Sequence, residues 1–134
     1  MASGMVSRWP VVVETTIAPG ECAAGGALTR AGLERLFVAA WADYLERCPV
    51  LAGAAGAIEL VGEQQQGACA PGDTVDVGIG ATELFAARLH VGMRVRGGAS
   101  DLAVEASWSV GVAAVTRAIR DELIALAHGA AYVL

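Results

Sequence analysis

The stretch Thr29–Cys48, TRAGLERLFVAAWADYLERC, constrains the fold more than any other part of the chain. Leu33, Leu36, Phe37, Ala40, Trp41, Tyr44, Leu45 and Cys48 recur at i, i+3, i+4 and i+7. That is the spacing of an amphipathic helix with one face on a core. Thr29 is placed to cap its start, and Pro49 cannot continue it. At about 1.5–3 kcal/mol per large side chain, Leu33, Leu36, Phe37, Trp41 and Leu45 give roughly 7–15 kcal/mol of gross burial. Such a helix needs a surface to cover, and the segments after it supply one.

Two of those segments alternate strictly. In Phe85–Arg96, residues Phe85, Ala87, Leu89, Val91, Met93 and Val95 fall on one face, and Arg88, His90, Arg94 and Arg96 on the other. After the loop Gly97–Asp101, the run Leu102–Val112 sets Leu102, Val104, Ala106, Trp108, Val110 and Val112 against Glu105, Ser107 and Ser109. Period-2 alternation predicts antiparallel strands with one buried and one wet face, and Arg94 or its neighbours can face Glu105 across the hairpin. Trp9–Ile17 reads as a first strand with Trp9, Val11, Val13, Thr15 and Ile17 on one face. Ile58–Gln66 and Thr74–Ala81 read as two more, separated by the turn Pro71-Gly72-Asp73. A terminal helix is expected over Thr116–His128, stopped by Gly129. The expected architecture is α+β, one helix on the apolar face of one sheet, in a single domain of residues 1–134 with its core over about 9–126.

Composition excludes several functions. All nine basic residues are arginine and the net charge is −5, so no basic tract exists to bind nucleic acid or a polyanionic membrane. No apolar run approaches the roughly 18 residues of a membrane span. The N-terminus, MASGMVSRWP, has no apolar signal core, so the cytoplasm is the expected location. Cys22, Cys48 and Cys69 are odd in number and lack metal-type spacing, which reads as buried or idle thiols and no metal site. Cys22 lies nearest the candidate loop, and a nucleophilic role there needs a basic partner.

The order strand, long helix, four strands, short helix resembles the hotdog fold, a curled antiparallel sheet of about five strands wrapped around one central helix. The loop GECAAGG before the helix, the later PGDTVDV and the ending TRAIRDEL are similar to the 4-hydroxybenzoyl-CoA thioesterase type. The resemblance implies hydrolysis of an acyl-CoA or acyl-carrier-protein thioester. It implies no cofactor beyond the coenzyme A moiety of the substrate, and a homodimer or higher homo-oligomer joined at sheet edges. In that family the loop has the form G-D-x-D-x-x-G, and its second acidic position serves as nucleophile or general base. Here that position is Ala23, which can do neither, while Glu21 stands at the first.

A second register supplies an acid. Another group of hotdog thioesterases carries its glutamate on the helix, eight residues after a glycine whose N–H polarises the thioester carbonyl; Gly26 and Glu34 have that separation. Helix N-terminal N–H groups suit that polarising role. The histidine expected before the glycine is Gly25 here, and the threonine expected one turn beyond the acid is Val38. The resemblance thus makes Glu34 the base or nucleophile, with Gly26 or Arg30 N–H polarising the carbonyl. Thr29, Gln64 and Glu21 orient substrate or water. Gln64 and Gln66 point toward the helix only if no bulge intervenes at Gly62. Against this stands a surface glutamate paired with Arg30 at i−4, and with it a catalytically silent hotdog protein that binds an acyl thioester or serves as a partner subunit.

Overall fold

A computed structural model describes the backbone of residues 9–133 and the side chains of residues 9–128. The N-terminal reading of residues 1–8 lies outside the described part. The elements are β1 (Val11–Thr16), α1 (Arg30–Arg47), α2 (Pro49–Ala52), β2 (Ala55–Gln66), β3 (Thr74–Leu84), β4 (Arg88–Gly97), β5 (Leu102–Val112) and α3 (Arg117–Val133). All five strands form one antiparallel sheet in the order β1-β3-β4-β5-β2, with β1 and β2 at its edges.

Helix α1 packs over β1 and β3, on the inner face of the sheet. Its stripe is buried as the periodicity requires: Leu33, Leu36, Phe37, Ala40, Trp41 and Tyr44 face the core, and Leu45 is partly covered. Phe37 stacks on Trp108 of β5 with ring centroids 4.4 Å apart, so helix and sheet meet through aromatic faces. Thr29 caps the helix by accepting the Gly32 N–H at 3.0 Å. Pro49 ends α1 and, because its missing N–H is harmless in a first turn, opens α2. Glu122 of α3 accepts the Val50 and Leu51 N–H groups at 2.8 and 2.9 Å, tying α3 to that corner.

Several details differ from expectation. Phe85 does not continue the inner face of β4; it sits in the β3–β4 connection, 38% exposed, with the Arg88 guanidinium 4.9 Å above its ring. Arg94 stands opposite Glu105 in the ladder, yet its guanidinium lies 5.5 Å from the Trp9 ring. Trp9 itself leaves the face of Val11 and lies on the outer side of the sheet. A Cβ on Gly78 would stand 2.9 Å from its Cγ, so bare glycine makes the floor on which the indole rests. Gly129 does not stop α3, which runs on to Val133.

Candidate active site

The loop before α1, residues 17–29, is where the resemblance puts the chemistry, and its polar side chains are already engaged. Glu21 is almost fully buried. Its Oε1 accepts the Ala18 N–H and the Arg35 Nη2, both at 2.8 Å, and its Oε2 accepts the Arg35 Nε. The forked bond from Arg35 holds the Glu21 carboxyl below its usual range, against the opposing effect of burial, and the Ala18 N–H adds to it. A carboxylate so held is a weak base, so it suits a structural clamp better than activation of water. Arg35 also donates to the Thr16 carbonyl at 2.9 Å, which fixes β1, loop and helix to one another.

Gly26 and Thr29 are similarly occupied. The Gly26 N–H donates to the Ala23 carbonyl at 2.9 Å, so it is turned away from any substrate carbonyl. Its own carbonyl accepts from Cys69 N–H and Gln65 Nε2, each at 2.9 Å. Its φ of +86° and the 2.7 Å that would separate a Cβ from Ala68 Cβ explain why glycine stands there. The Thr29 hydroxyl accepts from Gly32 and donates to the Glu21 carbonyl at 3.2 Å. Gly32 is required too, since a Cβ there would stand 2.8 Å from Glu21 Cβ.

The amide expected from β2 arrives one residue later. A register shift between Leu60 and Gly62 adds a residue to β2, so Gln65 pairs with inward Val104, and Gln64 pairs with outward Glu105. Gln64 therefore lies on the outer face, beside Glu105 and Ala103, away from the helix. Gln65 instead accepts the Leu28 N–H at 3.0 Å and donates to Gly26 and Gly67 carbonyls, buttressing the loop. Cys22 and Cys69 are not idle thiols: they form a disulfide, with Cα atoms 6.0 Å apart, that joins this loop to the β2–β3 connection. Cys48 alone is free among the described cysteines. Burial, with Glu122 nearby, pushes its thiol up to about 11, so it is unreactive near neutrality.

What stays open is the start of α1 and one of its flanks. The Thr29 cap leaves Arg30 and Ala31 N–H without intrahelical acceptors. Glu34 lines a shallow depression of about 590 Å³ with Arg30, Ala31, Arg35 and Val38. Its side chain is 52% exposed, and its carboxylate lies 4.0 Å from Arg30 Nε, too far for more than a loose pairing. Arg35 reaches Thr15 and Thr16, so its flank of α1 faces β1. Glu34 lies about 100° round the helix, on the flank shared with Phe37, which stacks on Trp108 of β5. Of the expected residues, the structure brings Glu34 and Arg30 together beside open N–H groups. It gives Glu21, Gly26 and Thr29 to the scaffold and Gln64 to the other face.

A curled five-stranded antiparallel sheet with a helix packed against it is the hotdog fold. Solved structures agree. The chain is similar to a thioesterase from Thermus thermophilus complexed with coenzyme A and zinc, with TM-score 0.69 and 18% identity over 90% of this chain and 96% of that one. It is similar to a 1,4-dihydroxy-2-naphthoyl-CoA thioesterase from Synechocystis, with TM-score 0.59 and 14% identity over 85% and 95%. It is also similar to a 4-hydroxybenzoyl-CoA thioesterase mutant complexed with 4-hydroxybenzoyl-CoA, with TM-score 0.58 and 12% identity over 84% and 97%. No family model matches the sequence, and no curated protein matches it.

Proposed function

We propose that this chain hydrolyses acyl thioesters of coenzyme A or acyl-carrier protein, with Glu34 as base or nucleophile. The observation that carries the reading is a sparsely paired carboxylate on the first turns of the hotdog helix, beside N–H groups that nothing among the described residues engages. The thioester carbonyl oxygen would lie toward Arg30 and Ala31 N–H, where the helix dipole favours the developing negative charge. Glu34 removes a proton from water as oxygen bonds to the carbonyl carbon. The C–S bond then breaks, and the departing thiolate takes that proton. The Arg30 side chain, 64% exposed, can meet anionic groups of the carrier. Similarity to thioesterases that bind coenzyme A or a CoA thioester supports the choice of substrate.

The proposal includes a homodimer or higher homo-oligomer. Strand β2 is a 12-residue sheet edge, a template on which a second copy can pair. Light scattering after size exclusion tests this, and a monomer at tens of micromolar would contradict it. Cytoplasmic residence is also proposed. No helix among the described residues is long and apolar enough to cross a membrane. The Cys22–Cys69 bond weighs against a reducing compartment, which seldom keeps disulfides; a thiol count on protein trapped at lysis decides.

A second reading rests on Ala23 and on the engagement of Glu21: a silent hotdog that binds an acyl thioester without cleaving it. Thiol release from short, long and aryl acyl-CoAs separates the two, with a blank for the protein's own cysteines. Turnover supports the hydrolase, whereas a thermal shift without turnover supports the binder.

A further inference from the structure

We infer that Val38 is the specificity residue of this site, a wall that takes an aliphatic acyl group in preference to an aryl one; the inference rests on the hydrolase reading. Val38 is 47% exposed, whereas Leu33, Leu36, Phe37, Trp41 and Tyr44 of the same helix are buried and Leu45 packs against the core. Among the described residues it is thus the one large apolar side chain that α1 leaves open. It lines the depression at Glu34, together with Arg30, Ala31 and Arg35.

Helix geometry orders that depression. Arg30, Glu34 and Val38 follow one another at i, i+4 and i+8, so they form one column with about 6 Å between successive members. Helical side chains lean toward the N-terminus, which brings Val38 over the turn that carries Glu34. The column therefore runs from cation through carboxylate to an aliphatic group. A thioester carbonyl carbon carries two substituents that leave in different directions, sulfur toward the carrier and carbon toward the acyl chain. With the carrier's anionic groups at Arg30 and the carbonyl beside Ala31 N–H and Glu34, the acyl chain is directed onto Val38.

The lining sets the class of that chain. Most of the depression's surface is apolar. Arg35 contributes its aliphatic stem, because its guanidinium is committed to Glu21 and to the Thr16 carbonyl. The methyl groups of Ala31 and Val38 complete the wall. It offers no aromatic face, since Phe37 and Trp41 are 0% and 6% exposed and belong to the core. The polar side chains of the lining that are not tied elsewhere are Arg30 and Glu34, at the carrier end and the reacting centre. A hydroxyl at the far end of an aryl group would lose water there and gain no partner.

The test is steady-state thiol release from acetyl-, butanoyl-, hexanoyl- and 4-hydroxybenzoyl-CoA by wild type, Val38→Thr, Val38→Ala, Arg30→Gln and Glu34→Gln. Wild type should favour hexanoyl- over 4-hydroxybenzoyl-CoA by about tenfold in kcat/KM, the low end for an apolar contact because the wall is half open. Val38→Thr keeps the shape and adds a hydroxyl. It should raise KM for hexanoyl-CoA about five- to tenfold more than for acetyl-CoA, with kcat within about twofold and the melting temperature unchanged. Val38→Ala should fall between the two, and Arg30→Gln should raise KM by the same factor for every acyl group. Equal effects of Val38→Thr on all acyl groups, or a wild-type preference for the aryl thioester, would overturn the inference; with Glu34→Gln inactive, the hydrolase reading stands. A loss that grows with chain length in Arg30→Gln and not in Val38→Thr would reverse the direction of the substrate and overturn it too. Silence of the wild type on every thioester overturns both.

Discussion

Two regions at the same end of the molecule are built on opposite principles. The loop of residues 17–29 is over-determined: a disulfide, the Arg35–Glu21 fork, the Gln65 amide and two glycine close approaches all fix it. The flank of α1 beside it carries Glu34 and Arg30, both more than half exposed and joined at only 4.0 Å. Polar groups that hold structure have their valences filled, and chemistry needs groups that do not. The comparison puts the scaffold where the family resemblance expects the reaction; the proposed reaction lies on the helix.

Breaking the loop should cost stability, most of all through the disulfide. Cys22→Ala removes a link spanning 47 residues, for which loop entropy alone gives about 4 kcal/mol. Chemical denaturation of wild type and variant under oxidising conditions measures it, and the difference should vanish when both are reduced. Arg35→Ala should cost about 2 kcal/mol, because it leaves Glu21 charged, mostly buried and without its fork. Gly32→Ala should cost about 1–3 kcal/mol, since the added methyl meets the Glu21 backbone and Cβ. Thermal melts rank both against Glu34→Gln, which should shift the midpoint least.

Acid sharpens the same contrast. The Glu21 carboxyl has a folded pKa below its usual 4.5, chiefly through the Arg35 hydrogen bond. The clamp's stabilisation is therefore full above pH of about 4.5 and is lost as pH falls through the lower folded value. Urea midpoints followed from pH 6 to 3 should fall in wild type and fall less in Glu21→Gln, which has no such proton to take up. Equal slopes in the two proteins would remove the clamp from the account.

The sequence made α1 legible because burial imposes its period on eight positions, and β4 and β5 legible because one wet face forces alternation. What it concealed depended on contacts between distant segments. Gln65 was hidden behind Gln64 by one inserted residue, and Gly62 was the only mark of it. The fork from Arg35 to Glu21 joins residues 14 apart, and Cys22 meets Cys69 only once the end of β2 returns to the loop before α1. Ala23 could be seen as a missing acid, but nothing in the linear order revealed that the rest of the loop is structural. Glu34 emerged from spacing to Gly26, although Gly26 N–H faces Ala23 rather than a substrate.

The most direct test of an acid on the helix rather than in the loop is kcat/KM for acyl-CoA hydrolysis by Glu34→Gln and Glu21→Gln, each corrected for its folded fraction. Loss of about 100-fold or more in Glu34→Gln, with Glu21→Gln within a few fold of wild type, is the predicted result. Activity that survives in Glu34→Gln and collapses in folded Glu21→Gln would return the chemistry to the loop and contradict the account.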